Sequence, residues 1–141
     1  MSDALLLDTN AIVYLATGAP MRPDAIDRIA AAAGQALLLV SPISAWEIGN
    51  VSRPKNSRRS IDFLPDPTTW FRTFMTAHGV VLTPFSPEIG IAAAYLPEGL
   101  HGDPADRLLT ATARALGAAM VTRDRDILAY AEMGHVRAIA C

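Results

Sequence analysis

The stretch ALLLDTNAIVYLA, residues 4–16, joins an aliphatic run to a second apolar segment through an acid, Asp8, and two polar residues. The leucines predict a buried strand over residues 4–8, and the apolar residues after them predict a helix over residues 11–16. A carboxylate at the end of a buried strand is costly to desolvate unless something compensates its charge. Asp8 is therefore either the cap of the following helix or part of a functional site.

Composition limits the classes of protein to which the chain can belong. With 141 residues and a net charge of -2, we expect a single domain over residues 1–141. The charge excludes a wholly basic nucleic-acid coat, although a local basic patch stays open. The one cysteine, Cys141, excludes a disulfide framework and a cysteine-based zinc site, and it fits a reducing cytoplasm. No apolar run approaches the roughly 18 residues of a membrane span, so we expect no membrane insertion.

Short aliphatic runs alternate with helical patterns along the rest of the chain. The other predicted strands cover residues 36–40, 80–83, 118–122 and 136–140, the last at an edge. The other predicted helices cover residues 23–33, 68–77, 104–116 and 127–131, with two more that begin at Pro42 and Pro87, and a loop covers residues 53–67. Strands without alternating polarity, separated by helices, indicate an α/β fold in which helices cover both faces of a mainly parallel sheet.

Acids from four segments are expected at one edge of this sheet: Asp8, Glu47, Asp103, Asp106, Asp124 and Asp126. Loops that leave the carboxyl ends of parallel strands share that edge, and the first and fourth predicted strands each lead into acids there. Crossover helices run antiparallel to the strands, so their N-termini lie at the same edge. The acids of SPISAWEIG and GDPADRLL are near two predicted helix starts. They are therefore expected at the same edge of the sheet as the acids that follow the strands.

Each acid also has a structural interpretation. Asp103 precedes a proline and is a good N-cap, and capping is the better interpretation for it. The segment SAWE matches a capping box, but Glu47 also lies with Ile43 and Val51 on an apolar stripe expected to face the sheet, which favours function. Asp106 lies on the apolar face of its helix and is the better ligand candidate in its segment. Alone, the acids of VTRDRD would be ordinary turn residues.

Several carboxylates at one edge need a compensating charge. Two carboxylates about 4 Å apart repel by roughly 4 kcal/mol at an effective dielectric constant near 20. With no cysteine or histidine at ligand spacing, oxygen ligands favour Mg²⁺ or Mn²⁺, which can promote hydrolysis at phosphorus. The three histidines are expected to be ordinary loop or surface residues: His78, His101 and His135.

Three segments and their spacing resemble the PIN domain and, within it, the VapC toxins of bacterial type II toxin–antitoxin systems: LLLDTNAIVYL, VSPISAWEIGNV and HGDPADRLLTATARALGAAMVTRD. The resemblance implies a ribonuclease with a three-layer α/β/α PIN-like fold that uses Mg²⁺ or Mn²⁺. It implies a catalytic, metal-binding quartet of Asp8, Glu47, Asp106 and Asp124. The supporting positions that it implies are Thr9, Asn10 and Thr122, with extra acids at Asp103 and Asp126. It also implies a homodimer and an antitoxin whose C-terminal segment packs into a groove and reaches the active site.

Two other features leave alternatives open. The segment RPKNSRR, with Arg53, Lys55, Arg58 and Arg59, is either a solvated loop or a contact for RNA phosphates. The aromatic residues of the following predicted helix either pack in part against the core or line an antitoxin groove: Trp70, Phe71 and Phe74. Trp46 is expected in the core.

Two competing functions stay open. A phosphatase of the haloacid-dehalogenase type also places an aspartate after an apolar strand, but it requires a second acid two residues later, where this chain has Asn10. It also requires a lysine, and the only lysine is Lys55, in the polar loop. A catalytically inactive PIN-like binding protein would keep the fold, although the intact quartet argues against it.

Overall fold

The computed structural model describes residues 3–53 and 61–141. The strands are β1 (Leu5–Leu7), β2 (Leu38–Val40), β3 (Val80–Leu82), β4 (Ala119–Thr122) and β5 (Arg137–Ala140). The helices are α1 (Thr9–Thr17), α2 (Pro23–Gly34), α3 (Pro42–Ser52), α4 (Pro67–Met75), α5 (Pro87–Ala94), α6 (Pro104–Leu116) and α7 (Arg125–Glu132). The predicted order of strands and helices is confirmed, with ends that shift by a few residues.

The five strands form one sheet in the order β3-β2-β1-β4-β5, and every neighbouring pair is parallel. Leu5 of β1 pairs with Leu38 on one side and with Ala119 on the other. The chain thus leaves β1 toward β2 and later returns to the opposite side of β1. Such a switch point is where open α/β sheets form ligand sites, beyond the carboxyl ends of the strands.

Side chains of β1 alternate between the two faces of the sheet, and both faces are covered. Leu5 and Leu7 belong to one core with residues of α1, α2 and α3. Leu6 belongs to a second core with residues of α5, α6 and α7. Because successive side chains of a strand point to opposite faces, an apolar strand supplies both cores. The three-layer α/β/α architecture is confirmed.

Serine or aspartate caps begin several helices at the carboxyl edge of the sheet. The Ser41 hydroxyl accepts from the backbone N–H of Ile43 at the start of α3, and Asp103 caps α6. Helix α1 begins at Thr9, two residues before the predicted start, because the Asp8 carboxylate accepts the Thr9 N–H at 2.8 Å. These caps place the first turns of α1, α3 and α6 at one edge of the sheet.

The expectation for Trp46 is wrong. Its side chain is 59% exposed, whereas Ser44 and Ile48, two residues to either side in α3, are buried. Two residues correspond to about 200° around a helix, so burial of that face turns Trp46 outward. Val51, expected on the sheet-facing stripe, is also exposed.

The aromatic residues of α4 pack in part against the core. Trp70, Phe71 and Phe74 are partly buried against the first core, and Phe63 meets the Trp70 ring edge-on at 4.7 Å. This confirms their partial burial. Residues 61–66 contain no helix or strand, in agreement with the loop predicted over residues 53–67, of which residues 54–60 lie outside the described residues. No helix in the described ranges has the length and apolarity needed to cross a membrane.

Candidate active site

Asp8 lies at the carboxyl end of β1 and is 5% exposed. One carboxylate oxygen accepts the Thr9 N–H, and the other accepts the Thr122 hydroxyl of β4 at 2.6 Å. Burial raises the pKa of Asp8 above its ordinary value, and the nearby charges of Asp124 and Asp103 raise it further. Asp8 therefore combines both interpretations: it caps α1 and also lies among other acids.

Glu47 projects from α3 toward the start of α1 and is half-buried. The Thr9 hydroxyl donates to the Glu47 carboxylate. It also lies 2.9 Å from the Ser44 hydroxyl, and because the Thr9 proton is already used, Ser44 is the donor in that pair. Burial raises the pKa of Glu47, and the charge of Asp8 adds to this effect. The capping-box interpretation is wrong, because Ser41 caps α3 and Ser44 lies inside the helix.

Asp106 lies in the first turn of α6, and its backbone N–H donates to the Asp103 carboxylate at 3.0 Å. Asp103 is thus the helix cap, as the sequence favours, while the Asp106 side chain is directed elsewhere. Burial raises the pKa of Asp106 to about 7, and the charges of four other acids act in the same direction: Asp103, Asp8, Asp124 and Glu47. The acids from four separate segments therefore lie within electrostatic reach of one another.

Asp124 and Asp126 follow β4. The Asp124 carboxylate accepts the N–H groups of Asp126 and Ile127 at 2.9 and 3.0 Å and so caps α7. Its own N–H donates to the Thr122 hydroxyl at 3.0 Å. Thr122 consequently links the carboxylate of Asp8 to the backbone of Asp124. Asp126 has a side chain that is 69% exposed, at the rim of this group of acids.

His101, expected to be an ordinary loop or surface residue, lies in the segment between α5 and α6 and is partly buried beside the acids. Its Nε2 lies 3.2 Å from Asp106 Oδ2 and 3.5 Å from Asp126 Oδ2. His101 lies two residues before Asp103, in HGDPAD, where the chain turns to begin α6. That short spacing from a helix start at the acidic edge is the one sequence signal that could have found it.

Some predicted site residues lie elsewhere. Asn10 is exposed in the first turn of α1, and within the described ranges its side chain makes no hydrogen bond to the acids. Arg53 is exposed where α3 ends. Lys55, Arg58 and Arg59 lie outside the described residues.

The donor set suits a hard divalent cation. Carboxylates surround the end of β1, and the salt bridges of the described residues bring no lysine or arginine to them. Burial is the main cause that raises the pKa values of Asp8, Glu47 and Asp106, and the charges of neighbouring acids add to it; a bound cation would offset both effects. A cleft of about 120 Å³ opens beside these acids, lined by Trp46, Glu47, Asn50, Val51, Asp103, Pro104 and Ala105.

The raised pKa of Asp106 predicts how the stability of the metal-free chain depends on pH. The pKa rises from 3.8 to about 7 on folding, so the folded chain retains a proton that the unfolded chain loses in this range. The contribution of this group to the free energy of unfolding therefore falls as pH rises from about 4 to about 7. Urea unfolding in EDTA should show a shallower fall for Asp106→Asn than for wild type. Equal slopes would contradict the raised pKa.

The comparison with known families agrees with this fold and this group of acids. The sequence matches the PIN domain over residues 5–133, which is most of the chain. The chain therefore belongs to the PIN domain family. It is 32% identical over 108 residues to Ribonuclease VapC22 of Mycobacterium tuberculosis, a match that covers 73% of this chain and 78% of that protein. The match gives no support to the haloacid-dehalogenase interpretation.

Solved structures share the fold at lower sequence identity. VapBC2 from Rickettsia felis, bound to a DNA fragment from its promoter, gives a TM-score of 0.67 at 19% identity and covers 97% of this chain and 98% of that chain. DNA-bound VapBC from Salmonella typhimurium gives a TM-score of 0.66 at 14% identity, with 97% of each chain covered. FitAB bound to a DNA fragment gives 0.55 at 17% identity, over 96% of this chain and 94% of that chain. At these identities the likeness concerns the fold.

Proposed function

We propose that this chain is a ribonuclease that depends on Mg²⁺ or Mn²⁺ and that acts as the toxin of a type II toxin–antitoxin pair. The observation that carries the proposal is the meeting of carboxylates from four segments at the switch point of the sheet, with a pKa of about 7 at Asp106. The family match and the ribonuclease named among its relatives support the same activity. We also propose that residues 1–141 act as one domain in the cytoplasm.

In this proposal the quartet of Asp8, Glu47, Asp106 and Asp124 holds the cation. A divalent cation bound there would supply Lewis acidity for the hydrolysis of a phosphodiester. Thr122 fixes the orientation of Asp8, and Thr9 fixes that of Glu47. The exposed indole of Trp46 lines the same cleft as Glu47 and offers a flat face on which an unpaired RNA base can stack.

The proposed partners follow from the family. We propose that a cognate antitoxin neutralises the chain and that the chain forms a homodimer. Chains from the VapBC and FitAB structures share its fold over nearly their full length, which supports the antitoxin partner. The partly buried aromatic residues of α4 and a neighbouring cleft of about 280 Å³, lined in part by Phe71 and Arg72, are candidates for the groove that receives it.

The test is cleavage of RNA by the purified chain. Total bacterial RNA and a single-stranded DNA of matched length are incubated with the chain in Mg²⁺, in Mn²⁺ and in EDTA. We expect discrete new RNA ends with either metal and none in EDTA, and little cleavage of the DNA. Asp8→Asn, purified in parallel, excludes a contaminating nuclease. Equal RNA cleavage in EDTA and in metal would overturn the proposal.

The basic segment 53–59 is proposed to contact RNA phosphates, because an acidic edge needs cationic help to hold RNA. Replacing Arg58 and Arg59 together by alanine should weaken RNA binding. The slope of the logarithm of the binding constant against that of salt concentration should become shallower by about one unit for each lost contact. An unchanged slope in filter-binding titrations over a salt series would make the segment a solvated surface.

A further inference from the structure

His101 contacts the acidic cluster through a side chain to which the proposed function gives no role. It belongs to the segment between α5 and α6, and its ring is partly buried. Its Nε2 lies within 3.2 Å of Asp106 Oδ2, and its other ring nitrogen, Nδ1, accepts the backbone N–H of Asp103 at 3.1 Å. The ring therefore spans the cap of α6 and the carboxylate one turn further along the same helix.

The hydrogen bond at Nδ1 decides what Nε2 can do. A neutral imidazole carries one N–H, and a nitrogen that accepts a hydrogen bond cannot carry it. The proton therefore lies on Nε2, the ring nitrogen that is 3.2 Å from Asp106 Oδ2. To bind a cation through Nε2, the ring would have to move this proton to Nδ1. Two N–H donors, of His101 and Asp103, would then face each other.

The segment that carries His101 is itself anchored beside Asp106. Arg107, the next residue of α6, donates from its guanidinium to the carbonyl oxygens of Leu100 and His101 at 3.3 and 3.5 Å. It also donates to the carbonyl oxygen of Ala93, at the end of α5, at 3.1 Å. The backbone of His101 is thus held by the residue that follows Asp106, and its side chain returns to Asp106.

We propose that His101 is a positioning residue for Asp106, whose carboxylate it orients through Nε2–H so that the other oxygen faces the cation. Within the described residues, no side-chain hydrogen bond occupies Asp106 Oδ1. The role depends on the proposed function, because it concerns how the same site binds its cation. Partners that orient a metal ligand in this way typically contribute roughly 10–100-fold to affinity or activity.

A direct ligand role for His101 is the main competing explanation. Ring and carboxylate atoms of His101, Asp124 and Asp126 lie within 4.8 Å of one another, a spacing that could hold a metal ion. The occupied Nδ1 favours positioning over ligation. A second competing role is structural, in which only the Nδ1 acceptor matters because it holds the turn before α6.

Two variants separate these roles. His101→Asn places an amide oxygen near the position of Nδ1 and removes the donor to Asp106. His101→Gln extends an amide N–H toward the position of Nε2 and removes the Nδ1 acceptor. His78→Gln, at an exposed histidine between α4 and β3, is the matched control. The full chain is stripped of metal, its melting is recorded, and Mn²⁺ affinity and the kcat and KM for RNA are then measured.

The positioning role predicts that His101→Asn weakens Mn²⁺ binding and lowers kcat by roughly 10–100-fold, with KM and the metal-free melting midpoint close to wild type. His101→Gln should restore both quantities toward wild type. Equal loss in both variants would assign a ligand role and overturn the proposal. Weaker Mn²⁺ binding and lower kcat in His101→Gln alone, or in neither variant, would overturn it as well. So would a melting midpoint of the metal-free chain that is lowered in His101→Asn alone.

The two readouts also separate this inference from the proposed function. A wild-type chain that binds Mn²⁺ but cleaves no RNA overturns the proposed function, while the Mn²⁺ affinities of the variants still decide the role of His101. Normal cleavage by wild type and by both variants overturns the role of His101 and leaves the proposed function standing. A wild-type chain that binds no Mn²⁺ overturns both.

Discussion

Asp8→Asn is expected to lower the kcat for RNA cleavage by roughly 100-fold or more, with a much smaller change in KM. The change removes one negative charge from a buried side chain at the centre of the cluster and keeps its shape. Lewis-acid assistance by a bound ion is worth several kcal/mol, and each 1.36 kcal/mol corresponds to about a factor of ten in rate. Loss of cation placement should therefore dominate over any loss of substrate contact.

The matched control for this variant is Asp27→Asn, at an exposed position of α2. It removes the same charge from the chain without touching the cluster, so its kcat should equal that of wild type. Single-turnover cleavage of a defined RNA by the three proteins, with folding checked by circular dichroism, measures both constants. A near-normal kcat in Asp8→Asn would contradict the catalytic role of Asp8 and leave it only as the cap of α1.

Compared with wild type, Asp106→Asn is expected to be equally or more stable without metal and less stable with metal. In EDTA the variant should be as stable as wild type or more so, because it relieves repulsion among clustered carboxylates. With Mn²⁺ at about 100 times its Kd, wild type should gain roughly 2.7 kcal/mol, and the variant should lose most of that gain. Thermal melts of both proteins in EDTA and in Mn²⁺ supply the four values.

The opposite sign would identify Asp106 as a structural residue. An acid that serves only the dipole of α6 stabilises the helix by roughly 0.3–1 kcal/mol, so its removal would lower the metal-free midpoint. Asp103→Asn is a useful comparison, because Asp103 is the observed cap of α6. A lowered metal-free midpoint together with a full Mn²⁺ shift in Asp106→Asn would remove it from the proposed quartet.

The fold was predictable from the sequence because its rules are local or topological. Leu5–Leu7 is apolar without alternation, which is what a strand buried on both faces requires. Serine or aspartate followed by proline marked the starts of α3, α5 and α6. The meeting of acids at one edge followed from parallel strands and antiparallel crossover helices, with no knowledge of distances.

The parts that could not be predicted depend on tertiary contacts. His101 lies beside Asp106 because Arg107 anchors the segment between α5 and α6, and the spacing of His101 from the start of α6 does not by itself specify that tertiary contact. Trp46 faces solvent because the other side of α3 packs inward through Ser44 and Ile48, whereas its apolar character alone suggested the core.

The most direct test of the account is a titration of the metal-free chain with Mn²⁺ in which cation occupancy and RNA cleavage are measured on the same sample. The account predicts no cleavage at zero occupancy and a cleavage rate that rises with the same saturation curve as the bound Mn²⁺. For Asp106→Asn, both curves should shift together to higher Mn²⁺ concentration. Full cleavage by the metal-free wild-type chain would contradict the account. Binding of Mn²⁺ by Asp106→Asn with the same affinity as wild type would contradict it too.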